Sequence, residues 1–107
     1  MEIILLSPSR GGNQLANFES GETVVLNLTV TAVSDGSLHD PSTSLMVDIW
    51  DPDDLQVVTA AAMTRDSVGV YHYDYLAGAK LGTYQVLYTA TDGTRVTKQR
   101  DSFNVQA

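Results

Sequence analysis

Residues 22–33 read ETVVLNLTVTAV, and the alternation within them decides the fold. Val24, Leu26, Leu28, Val30 and Ala32 share one parity. Thr23, Val25, Asn27, Thr29 and Thr31 share the other. Side chains on an extended chain point alternately to opposite faces, so this spacing predicts a strand with one apolar side. Its many β-branched residues also suit a pleated surface better than a helix.

The same period recurs outward from this strand. In SLMVDIWD, Leu45, Val47 and Ile49 share a face, and Met46, Asp48 and Trp50 share the opposite one. DPDD, residues 51–54, is turn chemistry, and LQVVTAAAMT reads as the returning strand. DSVG is a further turn, GVYHYDY a strand over Val70–Leu76, and AGAKLG a loop. TYQVLYTAT places Tyr84, Val86, Tyr88 and Ala90 inward, and TDGT is a hairpin signal. In the last run, Thr94 to Val105, Val96 has the parity opposite to Phe103 and Val105, which a bulge would reconcile. On the N-terminal side, EIILLSP and LANF read as short edge pieces around the Gly-rich loop SRGGNQ, with Pro8 suited to an edge. About seven or eight short strands with regular turns, and no helical periodicity, predict an antiparallel β-sandwich.

Composition narrows the function. The 107 residues predict a single domain, 1–107, with a core large enough to need no covalent staple. There is no cysteine, so neither disulfides nor thiolate metal sites are available. The net charge of −7 repels nucleic-acid backbones and anionic membranes. No apolar run approaches a membrane span, and the run Ile3–Leu6 is too short for a signal peptide. The expectation is a domain cut from a longer exported chain, with a cytoplasmic setting left open.

FESGETVVLNLTV, VDIWDPDD, SVGVYHYDY, LGTYQVLYTATDG and SFNV together resemble the immunoglobulin-like β-sandwich modules of bacterial and archaeal surface proteins. The run also looks like the macroglobulin-type modules. By this resemblance Tyr84 opens the penultimate strand, and its hydroxyl bonds back to nearby backbone as a tyrosine corner. Phe103 and Val105 match the apolar pair of the closing strand. The sequence departs from antibody-type domains in lacking their cysteine pair, and Trp50 has outward parity.

Candidate sites follow from chemistry. Tyr71, Tyr73 and Tyr75 share a face, with hydroxyls able to reach water at the rim. His72 and Asp74 lie on the other face about 7 Å apart, as a solvated pair or half of a metal site. Asp51, Asp53 and Asp54 are candidate calcium ligands, but without the loop spacing that converges six or more oxygens. Asn27-Leu28-Thr29 fits the N-glycosylation pattern. No nucleophile elbow or phosphate-binding loop is present, so neither catalysis nor a cofactor is expected. In the resembled fold the strand of Trp50 lies beside that of Leu87. Met46, Trp50 and Leu87 then form an outward interaction patch, which Val58 joins. The expected role is a non-catalytic spacer, adhesion or assembly module of a secreted or surface protein. Its partners would be neighbouring domains, another protein or a second copy. A carbohydrate- or calcium-binding module and a phage or appendage subunit are the alternatives.

Overall fold

The computed structural model describes residues 4–10 and 17–106. Nine strands run through them: β1 (Ile4–Arg10), β2 (Asn17–Glu19), β3 (Thr23–Ala32), β4 (Ser44–Trp50), β5 (Gln56–Ala62), β6 (Thr64–Ser67), β7 (Val70–Leu76), β8 (Gly82–Asp92) and β9 (Arg95–Gln106). They form two sheets, ordered β1-β3-β7-β6 and β2-β9-β8-β4-β5. Only Met63 separates β5 from β6, which belong to different sheets. Counted as one strand that crosses between sheets, they bring the total to the expected eight. The fold is an immunoglobulin-like β-sandwich.

The core is built by the alternation read from the sequence. Val24, Leu26, Leu28 and Val30 of β3 face Leu45, Val47 and Ile49 of β4 and Tyr84, Val86 and Tyr88 of β8, all buried. Phe103 and Val105 of β9 close one side. Four aromatic rings meet there: Tyr84 stacks on Phe103 at 5.1 Å, Phe18 meets Phe103 edge-on at 6.0 Å, and Tyr75 leans on both Tyr84 and Phe103. Such offset and edge-on pairs add to the area that the rings bury.

Two details differ from the sequence reading. The β8–β9 register runs unbroken from Gly82↔Val105 to Asp92↔Arg95, so no bulge is needed for Val96. Val96 simply faces solvent, where the outer side of the sheet tolerates it. The DSVG turn is also shorter than expected. Asp66 and Ser67 end β6, and only Val68 and Gly69 turn. β1 is an edge strand paired with β3 alone, and β2 runs parallel to β9 at the other sheet's edge. Of the Gly-rich loop SRGGNQ expected between them, Ser9 and Arg10 belong to β1, and residues 11–14 lie outside the described residues.

Candidate functional site

One end of the sandwich is closed by the turn after β4. Asp51 is buried, and its Oδ1 accepts the amides of Asp53 and Leu55, both at 2.9 Å. Asp53 pairs instead with the Lys80 ammonium. Asp54 sits at φ +64, its amide bonded to the Asp51 carbonyl at 3.0 Å. The three candidate calcium ligands therefore serve three separate purposes. Among the described residues no three acidic, histidine or cysteine side chains gather as a metal site would require. The Tyr84 hydroxyl donates to the Lys80 carbonyl at 2.9 Å, the bond that defines a tyrosine corner. Burial, then the nearby Asp51 carboxylate, pushes the Tyr84 phenol up from its ordinary value.

The opposite end carries a network that sequence reasoning missed. Asp40 accepts the Gly69 amide at 2.8 Å, the Tyr71 hydroxyl at 2.9 Å and the Arg65 guanidinium at 3.1 Å. The Tyr71 hydroxyl is thus spent on a carboxylate rather than on rim water. The Gly69 amide is the largest influence holding Asp40 below the usual carboxylate range, with Tyr71 and Arg65 helping and burial opposing. Burial and Asp40 push Tyr71 up to about 12. Nearby, buried Asp92 accepts the Ser42 amide at 2.8 Å and lies 3.5 Å from His39 Nε2. Ser42, through its hydroxyl and its amide, keeps Asp92 low. These partners lie up to 50 residues apart in the chain, and no local motif announces them.

His72 finds a different partner from the expected one. Its Nδ1 lies 2.8 Å from Asp66 on β6, while Asp74 stays exposed. Asp66 is the main reason the His72 imidazole is raised above its usual value. No third acidic, histidine or cysteine ligand completes this pair among the described residues.

The outer face of the five-stranded sheet is the remaining candidate. Register aligns Trp50 of β4 with Gln85 of β8 and Ser102 of β9, and Asp48 with Leu87 and Arg100. Met46 is exposed, and Trp50 and Leu87 are half-buried, all outside the core. Val58 does not join them. It lies opposite Ile49, whose side chain is in the core, and is itself buried there. The β4–β5 register shifts twice, and Ala60 takes φ +46, so parity counted from Trp50 fails across this pair. Val57 is the exposed neighbour instead. An open cavity of about 310 Å³ lies beside the indole, lined by Trp50, Asp54, Gln85 and Arg100. Asp54 was singled out from the sequence only as a calcium candidate; Gln85 and Arg100 were not singled out, although strand parity would have put both on this face.

No family model matches the chain, and no curated protein does. Among solved structures, the chain is similar to the filamin domain of Lin-41, seen in a crystal structure. The two share 17% identity and a TM-score of 0.66, over 92% of this chain and 91% of that one. At that identity the likeness concerns the fold.

Proposed function

We propose that the chain is a non-catalytic binding module, a spacer, adhesion or assembly domain of a secreted or surface protein. The outer face of the five-stranded sheet is its contact surface. The observation that carries this reading is Trp50, the sole tryptophan, held half-exposed outside a core that is complete without it. The use of the other polar groups supports it too. Asp40, Asp51 and Asp92 bind backbone amides, and His72 is occupied by Asp66, so they act as ties between loops and strands. The exported setting draws on the resemblance to surface modules. Fractionation of the native cells tests it, and recovery in the cytoplasm alone would remove it.

The contact surface is tested through the indole. Trp50 emission is expected to be red-shifted and readily quenched by acrylamide. Trp50→Ser should leave stability within about 1 kcal/mol, as surface changes usually do. A blue-shifted, protected signal with a loss of ~3–5 kcal/mol would make the ring structural and end this reading.

A further inference from the structure

The face around Trp50 is chemically uneven, and the unevenness points to a ligand class. Along β4 the half-buried Asp48 stands between Met46 and Trp50 on the outer side, so the exposed apolar residues do not merge into one patch. The indole borders an open cavity of about 310 Å³, at the low end of small-molecule sites. Its other lining residues each carry a planar polar group: Asp54 a carboxylate, Gln85 an amide and Arg100 a guanidinium. Gln85 is fixed directly opposite Trp50 by the β4–β8 register. Asp54 is fixed by its left-handed backbone and the bond from its amide to Asp51. Arg100 is in no ion pair among the described residues, so its donors are open to a ligand.

We propose that Trp50, Asp54, Gln85 and Arg100 form a saccharide-binding site, with one pyranose ring laid flat on the indole. This rests on the outer face being the contact surface. A sugar ring presents an apolar C–H face and a rim of hydroxyls, each of which donates and accepts. The indole offers a flat apolar platform for the first. The carboxylate accepts, the guanidinium donates in a fork, and the amide does both, which answers the second. A protein partner would favour the reverse arrangement, a dry apolar centre depleted of charge. A phosphate ligand would meet Asp54 and a chain of net charge −7. A shallow site with few buried contacts binds a single chain weakly, in the roughly millimolar range.

The sole tryptophan gives one indole N–H signal to follow. The ¹⁵N-labelled domain is titrated with cellohexaose, laminarihexaose and oligogalacturonate, and screened on a broad glycan array. The expected result is saturable movement of the Trp50 indole and of the Gln85 and Arg100 amides with at least one sugar. Trp50→Ala should weaken that binding at least tenfold, and His72→Gln, on the opposite sheet, should leave it unchanged. Arg100→Gln separates the sources: a larger loss for the uronic oligomer than for the neutral ones assigns Arg100 to a carboxylate. No response to any glycan overturns the proposal. So do shifts that follow protein concentration instead of sugar, or shifts centred on Met46 and Val57, which would signal a protein partner. In those cases the contact face survives, because emission and the stability of Trp50→Ser decide it separately.

Discussion

Each end of the sandwich is closed by a tyrosine and aspartates, but one end is tied locally and the other across the chain. At the end holding Tyr84, the hydroxyl reaches back four residues to Lys80, and Asp51 caps its own turn. At the end holding Tyr71, Asp40 reaches residues 25 to 31 positions away, and Asp92 reaches Ser42 across 50. The local ties set loop shape. The long ties hold the 39–43 segment against the β6–β7 turn and the β8–β9 hairpin. The second end therefore depends on charged acceptors and on an exact approach of backbone to backbone, and it should be the more sensitive to substitution.

Gly69→Ala should produce the largest effect. Gly69 has φ +69, and a Cβ there would meet the Val30 carbonyl oxygen at 2.6 Å and the His39 amide at 2.9 Å. A loss on the order of 3 kcal/mol is expected from strain plus clash. Gly36→Ala is the control, because Gly36 has φ +74 with nothing nearby and should cost only about 1 kcal/mol. Equal denaturant midpoints for the two variants would show that the Tyr71 end yields easily, and the contrast between ends would collapse.

The tyrosines sharpen the comparison at intermediate size. Tyr84→Phe removes a bond to a neutral carbonyl, and Tyr71→Phe removes one to a carboxylate. Each should cost about 1–3 kcal/mol, with Tyr71→Phe at least as costly as Tyr84→Phe. The reverse order would mean that Gly69 and Arg65 satisfy Asp40 without the hydroxyl.

The smallest expected effect is a response to pH, read by amide exchange. Asp40 and Asp92 are held below their ordinary value of 3.8, so their contribution is present above it. It is lost as pH falls through the lowered folded values. The Gly69 and Ser42 amides should lose protection in acid ahead of the core. Lys80 has the opposite sign. Raised chiefly by Asp53, it contributes fully below 10.5 and loses that contribution as pH rises through its raised folded value. Simultaneous loss of protection at both ends in acid would show one cooperative unit rather than two separate closures.

What could be read from the sequence follows the same division. Strands β3, β4 and β8 were legible because period two is a property of neighbours in the chain, as in Leu45, Val47 and Ile49. The bond from Tyr84 to Lys80 spans a single loop, so a local motif carries it. Asp40 and Asp92 were not legible. An aspartate in a turn looks the same whether it faces water or receives an amide from 50 residues away. Val58 was misplaced for a related reason: two register shifts and a residue at positive φ break the parity count. Around Trp50 the aromatic was visible and Asp54 was noticed only as a turn carboxylate, while Gln85 and Arg100, outward by parity, carry no apolar signal that would draw them into a patch.

The β8–β9 hairpin also bears on how the chain reaches this state. Its eleven matched pairs close around a turn at Gly93 with no slip, so it can zip from a short loop at little entropic cost. β2 pairs with the same strand β9, but in parallel and from 87 positions away at Asn17↔Asn104. Closing that long loop gains only three residue pairs, so it becomes favourable once the hairpin and the rings around Phe103 already present a finished edge. On loop-closure entropy the β8–β9 hairpin is expected to form before β2 docks, with Phe18 closing over Phe103 after the hairpin is in place.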